Sequence, residues 1–190
     1  MDDIVKAALA KWPNVPHCHG WLGLDARGQW YMRDDRVQAA GPFPHSKGSL
    51  LRHDKLIEFI HRNYLPDAQG QWYFQNGPQR VYVDLENTPF VWRLQPDGRV
   101  WSHTGRVAQP TEALLDETGR LYLATDLGLG LVHTADMSLA ADAVEAGRWR
   151  PVDVLHDDLP ARLAALLDER KRLEKELAGS LPLSIPGIDR

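Results

Sequence analysis

The chain has 190 residues, 43% hydrophobic and 25% charged, with a formal net charge of −4 and a pI near 6.0. That length holds one domain with a sizeable core or two small lobes, and the composition is that of a globular protein. The acidic balance without a basic run argues against a protein that tracks phosphate backbones, and no apolar run reaches the roughly 18 residues of a membrane span, so neither nucleic acid nor membrane is an expected partner.

Residues 2–11 read as a short helix, with Ile4, Val5, Ala8 and Leu9 apolar and Pro13 ending it. Strands are expected over 21–24 and 29–32, with a third over 36–39. The stretch from Gly41 to Gly48 is a surface loop by composition. Ser49 then caps a helix to about Tyr64, with Leu50, Ile57, Ile60 and Tyr64 on one face, and Pro66 stops it. Strands follow over 72–75 and 80–85 around a turn at Asn76-Gly77-Pro78. Two further hairpins are expected: 90–94 with 99–103 around Gln95-Pro-Asp-Gly98, and 120–124 with 129–134 through Asp126 and Gly128.

From Asp158 to Ala178 the chain becomes a helix pattern with Pro160 in its first turn and Gly179 beyond its end. Leu159, Leu163, Leu166, Leu173 and Leu177 form a stripe with Arg170 as its polar member. Asp168 with Arg172, Arg170 with Glu174, and Arg172 with Glu176 are spaced to pair. This helix docks on its own sheet or on a twin, which makes a homodimer conceivable. Short strands with helices segregated from them indicate an α+β fold with antiparallel, hairpin-rich sheets and a long C-terminal amphipathic helix. The expected division is an N-terminal α+β lobe (1–85), a β-hairpin lobe (86–157), the helix (158–180) and a tail (181–190).

One short signature recurs through the strands: an acidic residue, Gly, a polar residue, then an aromatic. It occurs around Gly28, Gly70, Gly98 and Gly119, and Gly-Gln-Trp-Tyr is identical at 28–31 and 70–73. An Asp and a Gly a few residues apart suit a tight turn, because Gly accepts φ > 0 and Asp bonds its own backbone. The glycine gaps of 42, 28 and 21 are too uneven for a solenoid or propeller. The signature is architecture, not chemistry.

The order of these elements resembles the proteobacterial domain-of-unknown-function family 1285, or a sister uncharacterised family. The resemblance rests on Gly28-Gln-Trp-Tyr31, the helix from Leu50 to Tyr64, Gly70-Gln-Trp-Tyr73, Arg80-Val-Tyr-Val83, Glu86-Asn-Thr-Pro89-Phe90 and Thr125-Asp126, over about residues 20–145. It implies an α+β fold with repeated motifs and, for function, no more than a suggested signalling role. The Pro-rich stretch at 41–48 and the C-terminal helix depart from the pattern.

Sites are sparse. In His17-Cys18-His19 the two imidazoles project to one side of an extended segment and could share a metal with His45 or His53, but the paired spacing of a zinc finger is missing. The usual reading is a loop with polar side chains, and no metal or cofactor is assigned. Leu127-Gly128-Leu129-Gly130 lacks the third glycine and the helix of a dinucleotide fingerprint. Ser102 and His103 point to opposite faces of a strand, the wrong geometry for a nucleophile and its base. Asp84, Glu86 and Asp116 read as strand and turn carboxylates.

The remaining set is Trp30, Tyr31, Arg33, Trp72, Tyr73 and Arg80. Neighbours in a strand face opposite sides, so one of each aromatic pair is core and the other lies nearer the surface. Outward members beside Arg33 or Arg80 would make a platform for a planar or anionic ligand, or a partner's hot spot. The plainer alternative is that a helix covers that layer. With no catalytic residue assigned, the expectation is a binding or regulatory module for a protein partner or small ligand. An enzyme with a polar cleft formed by hairpin turns is the alternative. One cysteine excludes an internal disulfide, and the acidic start Met1-Asp2-Asp3 is unlike a signal peptide, so a cytoplasmic location is expected.

Overall fold

The computed structural model describes residues 1–180. Its helices are α1 (Asp3–Lys11), α2 (Asp35–Ala40), α3 (Asp54–Arg62), α4 (Met137–Glu145) and α5 (Leu159–Ser180). One sheet contains β1 (Cys18–Leu24), β2 (Trp30–Met32), β3 (Ser49–Leu50), β4 (Tyr64–Pro66), β5 (Trp72–Asn76) and β6 (Gln79–Leu85), in the order β3-β2-β1-β6-β5-β4. The other contains β7 (Phe90–Leu94), β8 (Val100–Ser102), β9 (Val107–Ala108), β10 (Pro110–Asp116), β11 (Leu121–Thr125), β12 (Gly128–Val132) and β13 (Val152–Val154), in the order β13-β10-β11-β12-β7-β8-β9.

The α+β class stands, but the sheets are mixed. Strands joined by tight turns pair antiparallel, as β5 with β6, β7 with β8 and β11 with β12. The parallel pairs all join strands distant in sequence: β1 with β6, β7 with β12, and β10 with β13. A short hairpin forces antiparallel geometry; a long excursion between partners lifts that constraint.

Two local expectations fail for identifiable reasons. Residues 36–39 are helical, because the Asp34 carboxylate accepts from the Val37 amide at 2.9 Å and starts α2. The helix expected from Ser49 to Tyr64 is only its middle. Ser49 and Leu50 pair with β2, His53 Nδ1 accepts the Leu56 amide at 3.3 Å as the cap, and Tyr64 opens β4.

Both sheets supply one aromatic core. Trp30, Ile60, Tyr64, Trp72 and Phe74 come from the first sheet and α3, and Phe90, Trp92, Leu121 and Leu123 from the second. Polar tips in it are mostly matched: Trp92 Nε1 donates to the Leu123 carbonyl (2.9 Å) and Tyr64 Oη to that of Pro89 (3.0 Å). Gly130 makes the first of these possible. A Cβ there would stand 2.5 Å from Trp92 Nε1.

The start of α5 is docked on the second sheet, with Leu159 buried among Leu114, Tyr122, Leu129 and Leu131 and Arg162 paired with Glu112. Further along, Leu173 is exposed, and Arg172 lies 3.9 Å from Glu176 and 3.8 Å from Glu169. The side chains of Leu163, Leu166, Arg170, Glu174 and Leu177, and the tail from 181 to 190, lie outside the described residues. The apolar stripe is therefore an expectation only.

Candidate functional site

The recurrent signature builds one kind of turn. At Asp25 the amide of Gly28 donates to the Asp25 carbonyl (3.0 Å), the Asp25 amide donates to the Gln29 carbonyl (3.0 Å), and Oδ1 accepts from the amides of Arg27 and Gln29 (both 2.9 Å). The same bonds recur at Asp67–Gln71 and Asp116–Arg120. The closing glycines Gly28, Gly70 and Gly119 have φ of 79°, 81° and 79°, the left-handed region that a side chain would strain. Around Gly98 the first position is held by Gln95, and Asp97 sits two residues later. A fifth turn, Ser102 to Arg106, has Ser102 Oγ accepting from the Arg106 amide at 3.1 Å.

Because Oδ1 satisfies each turn, Oδ2 is left for a partner elsewhere. Asp67 Oδ2 takes the Tyr82 hydroxyl at 3.0 Å, Asp116 Oδ2 takes the Tyr122 hydroxyl at 3.0 Å, and Asp25 Oδ2 lies 3.4 Å from Lys47 Nζ. The Asp116 side chain has no solvent exposure. Burial works to raise its pKa, but hydrogen bonds from Thr118, the Arg120 amide and Tyr122 outweigh this and hold the carboxyl below its ordinary value.

The six aromatic and arginine positions divide between the two faces of the first sheet. Trp30 and Trp72 point into the core. Trp30 Nε1 donates to His61 Nε2 at 2.9 Å, and His61 in turn lies edge-on to His103, 5.7 Å away. Burial lowers the His61 pKa to about 4, and burial with the neighbouring His61 lowers that of His103 to about 3. Tyr31 and Tyr73 are on the opposite face, but only Tyr31 is partly exposed there; Tyr73, expected nearer the surface, is buried at 6% exposure because Arg80 covers it. Arg80 caps Tyr73, its Cζ 4.7 Å from the ring centroid, while Tyr31 neighbours Phe43 at 6.2 Å.

Arg33, 3% exposed, is occupied. It donates to the carbonyls of Gly20, Gly41 and Ser46 and to Asp84 Oδ2 at 2.7 Å, fastening the 41–48 loop to the sheet. Phe43 of that loop lies on β1 because Gly23 has no side chain; a Cβ there would be 2.5 Å from the ring.

This outer face carries more than the six positions. His19 stacks on Tyr82 with centroids 4.5 Å apart and planes 4° from parallel, and His17 meets the same ring edge-on. Trp21, on the same side of β1 as Gly23, is 39% exposed. Trp21 could have been found from its alternation with the buried Leu22 and Leu24. Phe43 could not, since its place depends on how the loop returns.

Between the sheets, where the linker from β6 to β7 passes the start of α5, lies a pocket of about 240 Å³. Leu85, Pro89, Leu129, Leu159 and Pro160 form its apolar wall, and Glu86, Asn87 and His156 its polar one. Glu86 Oε2 is held by Lys47 Nζ (2.8 Å) and the Ala26 amide (3.2 Å), so the Asp25 turn frames one side. The Asp116 turn frames the other. Asn87 Nδ2 donates to Tyr122 Oη at 3.3 Å, and His156 Nδ1 stands 3.4 Å from that oxygen and 3.6 Å from Asp116 Oδ2.

Among the described residues no three or more His, Cys, Asp or Glu side chains converge as a metal site. Ser102 Oγ bonds Thr104 and the turn amide, while the ring of His103 packs against Trp30 and Phe90. No helix among the described residues is long and apolar enough to cross a membrane.

Two curled mixed sheets with five α-helices among the described residues, around a shared aromatic core, define an α+β protein. The chain belongs to the family DUF2944, described as "Protein of unknown function (DUF2946)", which matches residues 1–179. The chain is also similar to crystal structures of two DUF1285 family proteins. The one from Silicibacter pomeroyi DSS-3 has a TM-score of 0.47 and 13% identity, with 75% of this chain and 84% of that one covered. The one from Shewanella baltica OS155 has a TM-score of 0.43 and 16% identity, with 64% of this chain and 91% of that one covered. No functionally curated protein matches.

Proposed function

We propose that the protein is a non-catalytic binding module whose binding face is the outer, aromatic side of the first sheet, and that it works in the bacterial cytoplasm. The observation that carries this is the stack of His19 on Tyr82 beside the Arg80–Tyr73 pair, on the face where Trp21 is also exposed. Flat rings next to a guanidinium suit a planar group or a partner's aromatic and acidic side chains. The occupied Arg33 and the buried Trp30 and Trp72 support that face from within, as does Tyr73, only 6% exposed and covered by Arg80; Tyr31 and Arg80 belong to it directly.

The test is a paired comparison of wild type with a Trp21→Ser/Tyr82→Ser variant. Both are put through affinity capture from the native lysate and a thermal-shift panel of nucleotides and metabolites. The expected result is a partner or ligand bound by wild type and lost in the variant, with the variant still folded by circular dichroism. Undiminished binding by the folded variant would overturn the reading.

A second reading, an enzyme using the polar cleft between hairpin turns, draws on the Asp116–Tyr122–His156 cluster. A buried tyrosine and an adjacent imidazole beside a pocket are a usual setting for proton transfer.

A further inference from the structure

We propose that the pocket between the two sheets is a second binding site, for a small organic amine: an apolar body with an ammonium head. The cavity, its charge and the fixed direction of its hydrogen bonds argue for this together.

The bond directions follow from the Asp116 turn. Its carboxylate, ionised below the ordinary range, cannot donate, so the Tyr122 hydroxyl gives it its only proton. Tyr122 Oη can then only accept, which fixes Nδ2 as the Asn87 atom that faces it. Asn87 Oδ1 is left as a buried acceptor without a partner in the pocket wall. The His156 tautomer that donates from Nδ1 toward Tyr122 likewise leaves Nε2 as an acceptor. Thr88 Oγ1 is already used in both roles, donating to the Phe90 carbonyl and accepting from the Leu131 amide. Asn87 Oδ1 is closed off from the pocket space, so the acceptors the polar wall offers are Glu86 and His156, and they ask for a donor.

Charge narrows the donor. Glu86 lines the pocket, Asp116 lies behind it, and Asp157 and Asp158 follow His156 in the chain. Of the cations nearby, Lys47 is bound by Glu86 and Asp25, and Arg120 interacts with the Tyr122 hydroxyl behind the wall, so carboxylates still outnumber them around the cavity. A carboxylate or phosphate ligand would meet this negative surround unfavourably, whereas an ammonium meets it favourably. Leu85, Leu129, Leu159 and the two prolines give the apolar body its place.

The site and the outer aromatic face are separate, so either can fail alone. The test uses three probes with one body and different heads: benzylamine, benzyl alcohol and benzoate. Each is titrated into the full-length protein and followed by two-dimensional amide NMR. We expect shifts centred on residues 85–89, 129 and 156–160, with benzylamine at least about tenfold tighter than benzoate and benzyl alcohol between them. Glu86→Gln should remove most of the benzylamine advantage. His156→Ala, at a side chain 39% exposed, should weaken both benzylamine and benzyl alcohol without unfolding the protein. Shifts confined to other regions, benzoate binding as tightly as benzylamine, or no binding by any probe would overturn the proposal.

Discussion

The Asp67 and Asp116 turns are built alike and work differently. In each, Oδ1 caps two amides and Oδ2 receives a tyrosine hydroxyl at 3.0 Å. Yet Tyr82, the partner of Asp67, is half-buried on an outer sheet face, whereas Tyr122 is fully buried and Asp116 has no exposed side-chain surface. A lost bond at Asp67 can be replaced by water; one at Asp116 leaves a buried hydroxyl unmatched. A local motif thus dictates a turn, and its surroundings dictate what the turn is worth.

The largest effect sharpens the comparison by separating turns from core. His61 and His103 have folded pKa values of about 4 and about 3, below the ordinary 6.5. The unfolded chain takes up protons first, so their stability contribution is complete above pH 6.5 and is lost as pH falls toward 4 and then 3. Each contributes up to about 1.4 kcal/mol per pH unit across that window. The Asp116 carboxyl, lowered from 3.8, adds its own loss only at more acid pH. Urea midpoints at pH 7 and pH 4.5 should differ clearly, and His61→Gln should flatten the difference. A loss that starts only near pH 4 would assign acid sensitivity to the turn carboxylates instead.

Next in size is Asp116→Ala, expected to cost about 3 kcal/mol or more against about 1–1.5 for Asp67→Ala. Chemical denaturation reads both, and equal costs would break the distinction. Glycines provide a smaller contrast. Gly28 and Gly119 share a φ of +79°, but a Cβ at Gly28 would lie 2.8 Å from the His103 Cβ, while nothing lies within 4 Å at Gly119. Gly119→Ala should cost about 1–2 kcal/mol from backbone strain and Gly28→Ala about 1–2 more from the clash. The smallest effect belongs to the outer face: Trp21→Ser should change stability by less than about 1 kcal/mol, which keeps it usable in a binding assay.

What the sequence disclosed follows the reach of the interactions. The Asp25, Asp67 and Asp116 turns were legible because both bonding partners lie within five residues. The turn at Gln95-Pro-Asp-Gly98 was legible as a turn, although its first position belongs to Gln95 and not to the acidic Asp97 of the signature. The Ser102 turn was missed because a hydroxyl replaces the carboxylate. Parallel pairing of β1 with β6 left no trace, since alternation reports a buried face and not which strand lies beside it. In the aromatic pairs, Trp inward and Tyr outward was decidable only as an alternation. The use of Arg33 as a clamp for the 41–48 loop, and the meeting of Glu86, Asn87, Tyr122 and His156 around one pocket, depend on contacts tens of residues apart.

The most direct test is a pair of double-mutant cycles, Asp116→Asn with Tyr122→Phe and Asp67→Asn with Tyr82→Phe, measured by urea unfolding at pH 7. The coupling energy should be about 1.5–3 kcal/mol for the buried pair and below about 1 for the half-exposed one. Indistinguishable couplings would mean that the turn alone sets the worth of the bond, and would contradict the account.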